Sequence, residues 1–126
     1  MMRKTPLGRV LGLGSAKSGT EHWWVQRVTA VAGIPLTVFL IGFILTHIGA
    51  SRAEMLASLK NPIVAILLAL TMINMLWHMK LGMQVIIEDY IHSARNKFAA
   101  LLLNAFFTAA LGVAALYAIL KMSFGP

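Results

Sequence analysis

Apolar residues in this chain fall into three long runs separated by short polar segments, at about residues 25–50, 62–90 and 98–122. A transmembrane helix needs about 20 consecutive, predominantly apolar residues, so each run is long enough to cross a bilayer. Trp23 and Trp24 at the start of the first run suit an anchor at the headgroup level. The pattern predicts an all-α membrane protein with three transmembrane helices.

Local signals refine where these helices begin and end. Pro35 lies inside the first run, which a membrane helix tolerates if its neighbours satisfy the freed carbonyl. Asn61 followed by Pro62 is typical of a helix start, with a capping residue before a proline at the first helical position. Residues 51–61 are predicted to form a polar loop and residues 91–97 a short basic turn.

The composition supports a membrane location. The 126 residues are 59% hydrophobic and 12% charged, with a mean hydropathy of +0.78, whereas a soluble domain is closer to half apolar and a quarter charged. The chain has no cysteine. This excludes disulfides, thiol chemistry and iron–sulfur ligation by its own side chains.

The net charge of +7 is explained by membrane topology and not by nucleic-acid binding. Basic residues on the N-terminal side outnumber those on the opposite side: Arg3, Lys4, Arg9, Lys17, Arg27, Arg95 and Lys97 against Arg52, Lys60 and Lys121. The positive-inside rule then predicts a cytoplasmic N-terminus and a periplasmic C-terminus in a bacterial inner membrane. Residues 1–22 are interpreted as a cytoplasmic arm and residues 23–126 as one transmembrane domain. The arm also resembles a mitochondrial transit peptide, so the mitochondrial inner membrane is the alternative.

One stripe of the second helix carries the candidate chemistry. At about 100° per residue, Gly82 lies about 40° from His78, and Asp89 lies about 20° from it. Ionisable residues on one face of a membrane helix indicate a functional site. His78 could ligate haem iron or hydrogen-bond to a neighbouring helix, and Gly82 could make room for a porphyrin or for close helix packing. The residues alone leave these interpretations open.

A haem that transfers electrons needs a second axial ligand, and none lies at the depth of His78. His47 is displaced from it by roughly 14 Å along the bilayer normal, and His22 and His92 lie at the inner surface. The neighbouring methionines share its helix and are interpreted as core-filling residues: Met72, Met75, Met79 and Met83. A six-coordinate haem would therefore need another chain. Arg27 could hold its propionates or serve as a positive-inside anchor.

The cytoplasmic end of the second helix has the residue types of a quinone site. Tyr90 could donate a hydrogen bond to a quinone carbonyl, and Asp89 could relay protons. The alternative is an interfacial tyrosine anchor beside a solvated acid. Lys80 is predicted to join Gln84 and Glu88 in a polar ladder on another face of the helix.

These residues together resemble a known family. The arrangement His78-x3-Gly82-x6-Asp89-Tyr90 on the second of three spans resembles the hydrophobic membrane-anchor, or "D" cytochrome b, subunit of succinate dehydrogenase. The segment HWWVQRVTA at 22–30 is similar to the pattern at the start of that family's first span. The likeness covers about residues 8–92, and the third span matches only in being apolar.

The resemblance implies that haem b is shared between two subunits. His78 would be one axial ligand of the iron, and the partner "C" cytochrome b subunit would give the other. Arg27 and His22 would lie by the haem propionates, with Gly82 leaving room for the porphyrin.

The resemblance also implies a ubiquinone site and soluble partners. Tyr90 and Asp89 would contact ubiquinone. Succinate would be oxidised on a flavoprotein subunit carrying FAD, with electrons passing through an iron–sulfur subunit, so this chain would hold no catalytic residue for that oxidation. Alternatives are the anchor of a quinol:fumarate reductase, a homodimeric b-type cytochrome, and a scaffold without cofactor.

Overall fold

The computed structural model describes residues 6–10 and 18–125. Within these ranges the chain is all-α, with five helices and no strand: α1 (Pro6–Val10), α2 (Ser18–Thr46), α3 (Arg52–Leu59), α4 (Pro62–Tyr90) and α5 (Ala94–Phe124). The helices α2, α4 and α5 are long and apolar enough to cross a membrane. The predicted all-α class with three spans is confirmed.

The first long helix differs from the prediction at both ends. It begins at Ser18, before the predicted span, and it continues through Pro35 as expected. It ends at Thr46 and not near residue 50, because Gly49 in the following turn has a φ of +77°, a conformation that glycine adopts at little cost. The predicted arm, residues 1–22, lies partly outside the described residues, since only α1 and the first turn of α2 belong to them.

The polar loop predicted at residues 51–61 contains a helix, so that prediction is wrong. Ser51 and Glu54 form a capping box: the Ser51 N–H donates to Glu54 Oε2 at 2.7 Å, and the Glu54 N–H donates to Ser51 Oγ at 3.3 Å. These bonds satisfy donors that a helix start leaves free. Donation by the Ser51 N–H and hydroxyl also lowers the pKa of Glu54 from its ordinary value.

The second long helix has the predicted bounds. Asn61 caps it, with Oδ1 accepting from the Ile63 N–H at 3.0 Å, and Pro62 occupies its first turn. The turn after it is shorter than expected, because α5 already begins at Ala94. Lys97 therefore lies in the first turn of α5, where its Nζ donates to the Glu88 carbonyl at 3.1 Å and satisfies an acceptor at the end of α4.

The three long helices form an open row with α4 in the middle. In the described part of the chain, α2 and α5 each pack against α4, and the backbones of α2 and α5 do not approach one another. The main apolar core lies at the α3 end, where Leu59, Leu68 and Ile119 pack with Phe39 and Phe43 from α2. Most other large apolar side chains stay exposed. Such exposure requires lipid or another chain as a neighbour.

Polar contacts fix how α4 and α5 meet. Asn104, which is buried, donates from Nδ2 to the Lys80 carbonyl at 3.0 Å.

The ladder predicted for Lys80 is only partly formed. Gln84 Nε2 donates to Glu88 Oε1 at 2.8 Å, but Lys80 Nζ lies 5.4 Å from the Trp77 ring centroid. The lysine is thus stabilised by an aromatic face.

Candidate functional site

His78 contacts α2 through one ring nitrogen. Its Nδ1 lies 2.9 Å from Thr29 Oγ1. The same Oγ1 lies 2.9 Å from the Val25 carbonyl and 3.0 Å from the Gln26 carbonyl, both in its own helix. The single hydroxyl hydrogen therefore has backbone acceptors, and a lone pair is left to accept from His78 Nδ1–H. This tautomer leaves the lone pair of Nε2 available to a ligand.

A groove of about 630 Å³ runs between α2 and α4 beside His78. Its walls are mostly apolar, and its size is typical of a small-molecule or cofactor site. The lining residues come from both helices: Thr29, Ala30, Gly33, Ile34, Thr37 and Val38 from α2, and Asn74, Met75, His78 and Met79 from α4. The core role predicted for the four methionines holds for Met72 alone, because Met75 and Met79 line this groove and Met83 is exposed.

Asn74 holds the two helices together at the groove. Its Nδ2 donates to the Thr29 carbonyl at 3.0 Å. A Cβ at Gly33 would lie 3.2 Å from that Nδ2, so the absence of a side chain at Gly33 leaves room for the amide. Neither Thr29 nor Asn74 is predicted from the sequence to belong to the site. For Asn74 a signal exists, since it is a polar residue one turn before His78 in an apolar run.

Gly82 lies one turn beyond His78, on the same face of α4. A Cβ built at Gly82 meets nothing within 4 Å in the described residues. Close packing against another helix of this part of the chain therefore does not account for the glycine. The face of α4 that carries His78 is therefore also uncovered at Gly82.

Arg27 and His22 lie on α2, toward its N-terminus from the groove. Arg27 precedes Ala30 and Ile34 by three and seven residues, so it shares a helix face with these groove-lining residues. It is exposed, and its guanidinium carbon lies 5.3 Å from the Trp23 ring centroid. His22 Nε2 is buried and has no hydrogen-bond partner in the described ranges.

Tyr90 and Asp89 lie at the last turn of α4. Tyr90 is 78% exposed, and Asp89 is exposed as well. The two adjacent acids differ: Glu88 accepts from Gln84, whereas the Asp89 carboxylate has no side-chain partner among the residues that the structure describes. Asp89 is therefore the acid free to interact with a bound molecule.

His47 serves a different purpose at the other end of α2. Its Nδ1 lies 2.8 Å from the Phe43 carbonyl, and its Nε2 lies 2.7 Å from Ser58 Oγ in α3. Both ring nitrogens are thus engaged, Nδ1 with the end of α2 and Nε2 with α3. No cluster of three or more histidine or acidic side chains suited to a metal ion occurs in the described ranges 6–10 and 18–125.

The fold and the groove define an all-α, three-span membrane protein with a histidine beside an open cavity. The succinate dehydrogenase/fumarate reductase transmembrane subunit family matches residues 1–112, and the chain belongs to this family. The family recognised from the sequence is thus confirmed. The match extends beyond the predicted residues 8–92 into α5.

Curated relatives agree with this assignment. The succinate dehydrogenase hydrophobic membrane anchor subunit of Paracoccus denitrificans is 36% identical over 121 residues, covering 96% of this chain and 93% of the relative. The protein of the same description from Rickettsia conorii (strain ATCC VR-613 / Malish 7) is 42% identical over 96 residues, covering 74% of this chain and 76% of the relative. The succinate dehydrogenase membrane anchor subunit of Reclinomonas americana is 32% identical over 90 residues, covering 69% and 75%. No solved structure matches the chain.

Proposed function

We propose that this chain is the membrane-anchor subunit of a succinate dehydrogenase, a non-catalytic subunit of an oxidoreductase complex. The family match and the names of the relatives support this role. The chain would dock the iron–sulfur and flavoprotein subunits on the membrane. The clusters and FAD would belong to those partners, since this chain has no cysteine to hold a cluster.

The chain would hold one side of a haem b through His78. The observation that carries this proposal is the Thr29–His78 hydrogen bond at the edge of the groove, which leaves Nε2 free as an iron ligand. The uncovered face of α4 at Gly82 would leave room for the porphyrin. Arg27 and His22, at the N-terminal side of the groove, would contact the propionates. The haem supplies one-electron redox chemistry when bound.

A second subunit completes this site. The open row of helices leaves the α2–α4 groove uncovered by α5, and the ring nitrogens of His47 are engaged elsewhere. A "C" cytochrome b subunit would cover the groove and provide the second axial ligand. A homodimer with two copies of His78 is the alternative arrangement.

The ubiquinone site would lie at the cytoplasmic end of α4. The exposed Tyr90 hydroxyl would donate to a quinone carbonyl. The Asp89 carboxylate, which has no side-chain partner in the described ranges, would pass protons from the cytoplasm. The N-terminus would be cytoplasmic and the C-terminus periplasmic in a bacterial inner membrane, or the equivalent sides of the mitochondrial inner membrane. The same site could run in the opposite direction in a quinol:fumarate reductase.

Affinity purification of this chain from its native membrane in mild detergent tests the assembly. We expect three co-purifying subunits, one with flavin and one with iron–sulfur clusters, together with a reduced-minus-oxidised band of a b-type haem. Purification of a haem-containing homodimer without these subunits would contradict the heteromeric proposal. An intact assembly with flavin and clusters but without a b-type band would contradict the haem assignment alone.

A further inference from the structure

We propose that Thr29 is a positioning residue for His78, whose hydroxyl sets the tautomer and basicity of the histidine ring for iron ligation. This inference rests on the proposed haem site. It concerns a residue that neither touches the iron nor appears among the predicted site residues, and it follows from the hydrogen bonds around one hydroxyl.

The hydroxyl of Thr29 can donate only once. Carbonyl oxygens of its own helix lie at 2.9 Å and 3.0 Å, so its hydrogen is directed to the backbone. The third neighbour, His78 Nδ1 at 2.9 Å, then faces a lone pair of the hydroxyl and donates its N–H to it. With the proton on Nε2 instead, two lone pairs would face each other unless the Thr29 hydrogen left its backbone acceptors.

Thr29 is itself held from α4. The Asn74 amide, one turn before His78, donates to the Thr29 carbonyl at 3.0 Å. The hydroxyl and the carbonyl of one α2 residue are thus engaged by two α4 residues on the same face. This pairing restricts sliding of the two helices, and with it the orientation of the His78 ring.

The consequence for a metal ligand is chemical as well as geometric. Donation from Nδ1–H to an acceptor raises the basicity of the imidazole, and removal of such a partner typically weakens metal affinity by about 10–100-fold. A more basic ligand favours ferric over ferrous iron. Loss of the Thr29 acceptor should therefore raise the midpoint potential of the haem, since hydrogen bonds to an axial ligand tune that potential.

The test compares Thr29→Val with Thr29→Ser in the intact purified complex. Valine keeps the shape and removes the hydroxyl, whereas serine keeps the hydroxyl. We expect Thr29→Val to shift the midpoint potential upward in an optical redox titration, to change the electron paramagnetic resonance g-values of the ferric haem, and to weaken haem retention by about tenfold. Thr29→Ser should keep the parental potential and spectrum. Thr46→Val is the matched control, because the Thr46 hydroxyl also donates to a carbonyl of α2, that of Gly42 at 2.9 Å, but lies beside His47 and does not line the groove.

An unchanged potential and unchanged g-values in Thr29→Val, with haem retained, would overturn the role of Thr29 and leave the haem site intact. If valine blocks assembly, Thr29→Ser and Thr29→Ala replace it, and equal potentials in these two variants would overturn the proposal. A parental complex without a b-type band would overturn both the haem site and this inference.

Discussion

Thr29 Oγ1 and His78 Nδ1 lie 2.9 Å apart across the α2–α4 interface, although the two residues are 49 positions apart in sequence. The contact joins the first span to the helix that carries the candidate ligand. It lies at the edge of the groove and is reinforced by Asn74 on the same face. The orientation of the ring is therefore a property of how two helices pack, and not of α4 alone.

Tyr90→Phe should impair quinone reduction and leave the haem unchanged. Loss of one hydrogen bond of about 1 kcal/mol corresponds to a roughly fivefold lower kcat/KM for the quinone. The measurement is succinate-dependent reduction of a soluble ubiquinone analogue, together with the visible spectrum. Tyr117→Phe is the control, since Tyr117 is an exposed tyrosine on α5. Full quinone turnover in Tyr90→Phe would exclude this tyrosine from the site.

Asp89 and its neighbour Glu88 should differ in their effect on quinone turnover. Glu88 is paired with Gln84, so Glu88→Gln should leave turnover close to the parental value. Asp89→Asn removes the free carboxylate and should lower turnover by at least about tenfold, because proton delivery contributes to the step. Both variants are assayed at neutral pH in the purified complex. A larger loss in Glu88→Gln than in Asp89→Asn would reverse the assignment of the acid.

Gly82→Ala should weaken haem binding without harming the fold. No described atom lies within 4 Å of the added methyl group, and alanine favours the helix by about 0.5–1 kcal/mol. Overpacking against a porphyrin would cost about 1–3 kcal/mol, which corresponds to a roughly 5- to 150-fold loss of affinity. Haem per complex is measured by pyridine haemochrome absorbance. Gly42→Ala is the control, because that helical glycine also has open space around it and does not line the groove. Parental haem content in Gly82→Ala would show that Gly82 does not face the porphyrin.

The capping box of α3 should respond to acid. The pKa of Glu54 is lowered by donation from the Ser51 N–H and hydroxyl, so its stabilisation of α3 is fully present above the ordinary glutamate pKa. It is lost as the pH falls through the lowered pKa, when the carboxylate is protonated in the folded helix. The titration is followed through the Ser51 amide resonance in detergent micelles. Ser51→Ala, which removes the hydroxyl, should move the Glu54 pKa upward. An identical midpoint in the variant would argue against the hydroxyl contribution.

The sequence predicts the membrane helices well, because their signal is local. Apolar runs of sufficient length locate three spans, and Asn61 with Pro62 marks the start of α4 at the observed residue. The early end of α2 depends on the left-handed conformation of Gly49, which an apolar pattern does not reveal. The helix α3 could have been found, since Ser51 and Glu54 have capping-box spacing.

The site is only partly readable from the sequence. His78 and Gly82 stand out through their spacing on one stripe. Thr29 could not be selected, because its role depends on the register between α2 and α4, which no local pattern specifies. The partner of Lys80 was mispredicted for a related reason: Trp77, three residues earlier on α4, offers an aromatic face that competes with the polar ladder.

Whether His78 holds a haem is decided by the reduced-minus-oxidised visible spectrum of the complex purified with His78→Ala. We expect a b-type band in the parental complex and loss of essentially all of it in the variant, with the soluble subunits still bound. His92→Ala, at an exposed histidine in the turn after α4, should keep the band. An undiminished b-type band in assembled His78→Ala would show that His78 does not bind the haem iron.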